Sequence, residues 1–268
     1  MDAPRDDEDL ALIVDAARRA SAVANGFFRK EPRVWYKAGN SPVSEADIAV
    51  DRLLKSLLLD ARPGYGWVSE EAEHRLGGST GRFFIVDPID GTRAYLRGET
   101  SWCISIAVVD GARPVAGVVY APALDHEVTA TRTGPALLNG AAVTAPAVGE
   151  KLRVACPDRI RQSLAGVPTA DIDFRRSLPS LAYRLAMVAM GELDGTLIRP
   201  RANDWDIAAA DLILERAGGA LLDAGGGMVL YNIEGRRHGL LIAAAQHALT
   251  RLKELGHTAA QAADLSRG

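Results

Sequence analysis

Phe83-Phe84-Ile85-Val86-Asp87-Pro88-Ile89-Asp90-Gly91-Thr92 changes character in its middle. Its first four residues are a short apolar run of the kind that forms a buried strand, and the run ends in a carboxylate. Pro88 fixes φ and lacks an N–H donor, so it stiffens the exit from the strand. Asp90-Gly91-Thr92 makes a second sharp bend, in which Gly91 permits close backbone approach. Asp87 and Asp90 can thereby face one point, with the carbonyl of Ile89 turned inward beside them. Three oxygen ligands from four residues suit a hard divalent cation such as Mg2+.

Two other segments bring acids to the same kind of place. Upstream, Gly66-Trp67-Val68-Ser69 reads as a buried strand that runs into Glu70-Glu71. Downstream, Asn203-Asp204-Trp205-Asp206-Ile207-Ala208-Ala209 opens a helix. If these converge, Glu70, Asp87, Asp90 and Asp206 form a nest of negative charge that repels itself without cations. Two metals there could bind a phosphate ester, polarise it and lower the pKa of a coordinated water. The N–H groups of Gly91 and Thr92, at a helix start, could hold the phosphate oxygens. Each segment alone also has a plain reading. Asp-Pro and Asp-Gly are common turn pairs, Glu70-Glu71 is a solvated loop, and Asp204 or Asp206 is a helix cap or first-turn acid. Their joint occurrence in this order points to the metal site.

The rest of the chain supplies a scaffold. Residues 10–24 carry apolar side chains at helical spacing before Gly26, and 44–59 form a second helix with Ser44 as N-cap. Residues 103–109 and 115–120 flank Asp110-Gly111, a hairpin signal, and 127–132 add a strand. The small-residue, Pro/Gly-containing stretch 141–150 divides an N-terminal α+β half, 1–145, from a C-terminal α/β half, 146–268. In the second half, strands at 152–155, 195–198 and 220–222 alternate with helices at 181–190 and 206–217. A last strand and helix occupy 239–255, and the polar tail from His257 is expected to fray.

Composition narrows the function. With 268 residues and 48% hydrophobic content the chain can bury a large core, and a net charge of −3 advertises no basic surface for a nucleic-acid polymer or an anionic membrane. The acidic start, Met1 to Asp9, lacks the basic and apolar regions of a secretory signal, and no run approaches the roughly 18 apolar residues of a membrane span. Cys103 and Cys156 show no metal or redox spacing, which fits a reduced, cytoplasmic setting. The five histidines, at 74, 126, 238, 247 and 257, do not cluster in sequence.

Asp47, Glu70-Glu71, Asp87 through Thr92, and Trp205-Asp206-Ile207-Ala208-Ala209, in that order, resemble the inositol monophosphatase superfamily of Mg2+-dependent, lithium-sensitive phosphomonoesterases. The resemblance spans about residues 10 to 255 and includes Gly117 to Pro122. It implies a layered αβαβα sandwich of the inositol monophosphatase and fructose-1,6-bisphosphatase type, with the site between the halves, and a homodimer. It further implies that Glu70, Asp87 and the Ile89 carbonyl bind one metal, and that Asp87, Asp90 and Asp206 bind a second. Glu71 with Asp47 would support a third, loosely held ion. Glu70 and Thr92 would orient the attacking water, and Gly91 and Thr92 would contact the phosphate. Mn2+ is expected to substitute for Mg2+, and Li+ or Ca2+ to inhibit.

Substrate choice turns on arginines. Inositol-specific members carry a Glu seven residues before the Trp-Asp aspartate, and here that position is Arg199, with Arg201 close by. A cation there suits a second phosphate better than a polyol. Arg184, in a segment similar to one in bacterial 3′(2′),5′-bisphosphate nucleotidases, and Arg93, directly after Asp-Gly-Thr, point the same way. Lys37, in the turn-rich loop 37–44, could reach a phosphate, and that loop could close over the substrate. The plain reading of these arginines is solvated surface charge. The expected substrate is a small soluble phosphate ester, leaning to 3′-phosphoadenosine 5′-phosphate. Inositol-1-phosphate, histidinol phosphate and fructose-1,6-bisphosphate are the alternatives. A catalytically silent ligand-binding protein would show the loss of a ligand residue or of Thr92, and none is lost.

Overall fold

A computed structural model of the chain describes residues 3–37, 41–72, 81–143 and 149–265. Helices α1 (Ala3–Phe27) and α2 (Glu45–Ala61) flank a small hairpin of β1 (Val34–Tyr36) and β2 (Pro42–Ser44). Strands β3 (Gly66–Ser69) and β4 (Arg82–Asp90) follow, then the short helix α3 (Thr92–Leu96). The first sheet is completed by β5 (Cys103–Asp110), β6 (Arg113–Ala121), β7 (His126–Thr131), β8 (Leu137–Leu138) and β9 (Ala141–Ala142). It has seven strands in the order β3-β4-β5-β6-β7-β8-β9, antiparallel except for the β3–β4 pair.

The second sheet has five strands, in the order β11-β10-β12-β14-β13. These are β10 (Leu152–Ala155), β11 (Ile172–Arg175), β12 (Gly195–Ile198), β13 (Gly219–Asp223) and β14 (Leu241–Ala245). Its helices are α4 (Asp158–Ser163), α5 (Leu181–Ala189), α6 (Ala208–Arg216) and α7 (Leu249–Leu265).

Strand alternation fixes how the layers stack. In β4, Phe84 and Val86 join the core under α1 and α2, whereas Phe83 and Ile85 point to the opposite face and join the core that contains α5 and α6. In β14, Ala243 faces that same middle core, and Ile242 faces outward onto α7. The result is the layered αβαβα sandwich that the sequence predicts. The two sheets are covered outside by α1 and α2, and by α4 and α7, with α5 and α6 between them. Helix α6 lies close on β6, where a Cβ at Gly117 would come within 2.9 Å of the Ala209 carbonyl oxygen.

Several boundaries differ from the sequence reading, for local reasons. Helix α1 starts at Ala3 rather than near residue 10, because Asp6 and Asp9 are fully buried against Arg82. Strand β4 does not end at Asp87. It pairs with β5 as far as Asp90↔Cys103, across a register shift between Asp87 and Asp90 that Pro88 enforces by lacking a donor. Residues 257–265 do not fray but extend α7, since Leu252, Leu255 and Ala259 anchor its face on the second sheet. Helix α4 and strand β11 lie where no element was expected. The proposed domain division at 145/146 falls outside the described residues, as do positions 38–40 of the loop 37–44 and His74. No helix among the described residues is long and apolar enough to cross a membrane.

Candidate active site

Three carboxylates are delivered to one point by two different elements. Asp87 and Asp90 sit on either side of the bulge in β4, both buried, and the Asp87 Oδ1 accepts from the N–H of Ile89 at 3.1 Å. Asp206 ends a single 3-10 turn, Asp204–Asp206, so it precedes α6 instead of opening it. Its Oδ2 accepts from the backbone N–H of Asn203 at 2.6 Å. One oxygen from each of Asp87, Asp90 and Asp206 lies within 4.8 Å of the others.

Such a trio is unfavourable in a protein interior unless something positive joins it. Burial, and then the neighbouring Glu70, Asp90 and Asp206, push Asp87 well above the usual carboxylate range. Burial and Asp90 push Asp206 up to about 7. Burial raises Glu70 to about 8, with Lys37 opposing the shift. The donors are all hard oxygens on short, restrained side chains, which fits Mg2+ and does not fit a thiol- or imidazole-seeking metal.

Glu70 stands beside this trio rather than within it. Lys37 Nζ donates to Glu71 Oε1 at 2.7 Å, to the Glu70 backbone carbonyl at 3.1 Å and to Glu70 Oε1 at 3.4 Å. Lys37 therefore reaches the site, but in this structure its ammonium is engaged by the two glutamates. Asp47 is the N3 residue of a capping box with Ser44, which spends its Oδ2, and its Oδ1 lies 3.0 Å from Thr92 Oγ1. The same Thr92 hydroxyl is 3.1 Å from the Ile89 carbonyl. Gly91 caps α3 with φ 92°, and a Cβ there would lie 3.0 Å from both the Ser101 carbonyl oxygen and the Ser180 Cβ. Glycine is required at this position on both counts.

The arginines divide. Arg184, on α5, is buried, donates to Ser177 Oγ and to the Leu178 carbonyl at 3.0 Å, and leaves its Nε without a partner. Burial, reinforced by Arg199, pushes its guanidinium down to about 10. Arg184, Arg199 and Arg201 line a cavity of about 410 Å³ together with Asp90 and Asp206. Arg199 and Arg201 are exposed at its mouth, and Arg201 holds a left-handed φ of 83°. Arg93 is exposed on α3 and is not part of the cavity wall.

Two site partners were not expected from the sequence. Ser180 Oγ donates to Asp90 Oδ2 at 2.6 Å, and the N–H of Ala182 donates to the same oxygen at 2.6 Å. Ser180 does carry a readable signal, a serine directly before an apolar helical run, but that signal announces a helix cap and not a partner for Asp90. Asn203 caps the 3-10 turn and carried only the general signal of a turn residue.

A profile of the inositol monophosphatase family matches residues 6–263. The chain is 32% identical over 239 residues to an inositol-1-monophosphatase of Mesorhizobium japonicum, covering 81% of this chain and 86% of the relative. It is 32% identical over 235 residues to a histidinol-phosphatase of Mycobacterium tuberculosis, covering 82% and 88%. The crystal structure of extragenic suppressor protein suhB from Bartonella henselae superposes with a TM-score of 0.84 at 30% identity, over 93% of this chain and 98% of that one. The fold and site thus define a metal-dependent phosphatase, a phosphoric monoester hydrolase. The chain belongs to the inositol monophosphatase family, whose members depend on Mg2+. The two sequence relatives carry the names inositol-1-monophosphatase and histidinol-phosphatase, not bisphosphate nucleotidase.

Proposed function

We propose that this phosphatase hydrolyses a small phosphate monoester that carries a second anionic group, with 3′-phosphoadenosine 5′-phosphate as the first candidate. The observation that carries this reading is the cavity beside Asp90 and Asp206, whose wall holds Arg184, Arg199 and Arg201. The Arg184 guanidinium, buried in that wall, would supply positive charge to an anion held beside it.

Asp87, Asp90 and Asp206 would hold Mg2+, joined by Glu70 and the Ile89 carbonyl, with Glu71 and Asp47 supporting a further, loosely held ion. The ions would supply positive charge to the phosphate and a water of lowered pKa. The chain's own contribution is orientation. With the Thr92 proton directed to Asp47 Oδ1, the Thr92 oxygen is left free to accept a proton from the attacking water. Glu70 is the second acceptor for that water. The backbone at Gly91 and Thr92 would contact the phosphate, and Lys37, which bonds Glu70 and Glu71, would offer its ammonium to a phosphate oxygen. Arg93, exposed and outside the cavity wall, would meet the ester only by reaching in from α3.

A second reading is inositol-1-phosphate or histidinol phosphate, favoured by the names of the relatives. Fructose-1,6-bisphosphate shares the second phosphate and fits the cavity chemistry too. A panel of these four esters, with and without lithium, separates the readings. Highest kcat/KM on 3′-phosphoadenosine 5′-phosphate is expected, and a clear preference for the inositol ester would overturn the choice. We also propose a homodimer in the cytoplasm. The homodimer rests on the family resemblance and is read by light scattering on the eluting protein. The setting rests on the sparse cysteines, which show no metal or redox spacing, and is read by cell fractionation.

A further inference from the structure

Asp206 is presented by a turn rather than by a regular helix, and that turn is gripped from behind by three consecutive residues, Arg236, Arg237 and His238. Asp204, the first residue of the turn, is fully buried. Its Oδ1 lies 2.6 Å from His238 Nε2, and its Oδ2 accepts from the Arg236 N–H at 2.9 Å. Its own N–H donates to the Arg236 carbonyl at 3.1 Å. Arg237 Nε donates to Asn203 Oδ1 at 3.2 Å. That contact orients the Asn203 amide so that Nδ2 faces Asp206 Oδ2, at 3.3 Å. The N–H of His238 donates to the Ala202 carbonyl at 2.8 Å, and the N–H of Arg201 to the His238 carbonyl at 2.7 Å.

The side chains of Asn203, Asp204, Arg236, Arg237 and His238 have no part in the chemistry proposed above. A buried carboxylate whose two oxygens are filled from one short segment does, however, fix the backbone that carries it. The backbone fixed here ends in a carboxylate that repulsion from Asp87 and Asp90 tends to drive away. Holding it in place before an ion arrives raises the affinity of the ion, as partners of metal ligands do elsewhere.

We propose that His238, acting through Asp204, and Arg237, acting through Asn203, are positioning residues that set the divalent-cation affinity of the Asp206 side of the site. The inference rests on the reading of Asp206 as a metal ligand.

The test is a Mn2+ titration of the full chain, followed by the electron paramagnetic resonance signal of free Mn2+, with folding checked by circular dichroism. Wild type should bind Mn2+, and Asp206→Asn should lose most of that binding. His238→Phe should raise the Mn2+ Kd by about 10-fold or more. His238→Gln, whose amide N–H can reach Asp204, should recover most of the loss, which a purely structural loss of packing would not. Arg237→Met, a substitution outside the buried contact, should also raise the Kd several-fold and serves if the phenylalanine variant does not fold. Wild-type Mn2+ affinity in Arg237→Met and in folded His238→Phe, or no recovery with glutamine, would overturn the inference. No Mn2+ binding by wild type, or undiminished binding by Asp206→Asn, would instead overturn the metal reading beneath it.

Discussion

Ser180 donates its hydroxyl proton to Asp90 Oδ2 at 2.6 Å, while its oxygen accepts from the Tyr183 N–H at 3.3 Å as the N-cap of α5. One hydroxyl therefore starts a helix of the middle layer and orients a carboxylate at the end of a strand in the first sheet. The Ala182 N–H adds a second donor to the same oxygen, so the partial positive charge of the helix start is directed at Asp90.

Asp90→Asn should keep this geometry and lose the function. An amide is a far poorer ligand for a hard cation, and turnover should fall on the order of 10³-fold, more than the 10–100-fold typical of losing an outer partner. The metal-free variant should be at least as stable as wild type, because one of the like charges is gone. Ser180→Ala should cost about 1 kcal/mol through the lost cap alone. Steady-state kinetics across a Mg2+ series and thermal melts after chelation check both variants.

Removal of metal should make stability depend on pH in an uncommon direction. Glu70 and Asp206 are raised to about 8 and about 7, above their unfolded values, so the folded protein binds more protons than the unfolded chain between about pH 4.5 and 8. Their favourable contribution is complete below the unfolded values and is lost as pH rises through the folded ones. After chelation the melting temperature should therefore fall from pH 5 to pH 8. Added Mg2+ should restore it most at pH 8, where the ligands give up their protons readily. A chelated protein that gains stability across this window would contradict the raised values.

Arg82 is 2% exposed and pairs at 2.9 Å with both Asp6 and Asp9, each fully buried on α1. Arg82→Met would remove the cation the two acids share, leaving Asp6 with Arg132 and Asp9 with Arg62 and Tyr65. A loss of about 3 kcal/mol in urea unfolding is expected, the low end for a broken buried pair because these partners remain, with little change in kcat for the fraction that folds.

Arg199→Glu reverses the charge at the mouth of the cavity. It should lower kcat/KM for 3′-phosphoadenosine 5′-phosphate on the order of 10²-fold, toward the lower end of a broken charged contact because the side chain is exposed. The same change should leave inositol-1-phosphate hydrolysis unchanged or improve it. Comparing the two esters under one set of conditions reads the ratio directly.

How far the sequence could be read depended on whether a signal was local. Phe83 to Val86 ending in Asp87, and Ser44 before an apolar helical run, announced β4 and α2, because strand burial and capping are properties of neighbours in the chain. The convergence of Asp87, Asp90 and Asp206 was legible once the segments were taken together, since three acids at apparent element ends have little other use. The start of α1 was not legible. Met1 to Asp9 reads as acidic and polar, and it takes Arg62, Arg82 and Arg132, far along the chain, to make Asp6 and Asp9 interior residues. His238 is opaque for the same reason, because its partner Asp204 lies in another segment and nothing around residue 238 marks the contact. Arg93 illustrates the converse. Its place directly after Asp-Gly-Thr suggested the pocket, but the first turn of α3 leaves it exposed and off the cavity wall.

The acids that meet at one point arrive from opposite ends of the chain's path, Asp87 from the first sheet and Asp206 from the turn ahead of α6. An ion held by both would act as a removable crosslink, closing a long loop in the polypeptide much as a disulfide does, but under the control of solution composition. The ion supply of the cell would then govern two things at once: how fast the enzyme turns over, and how long each copy survives proteases and heat. A shortage of magnesium would first slow the protein and then shorten its life.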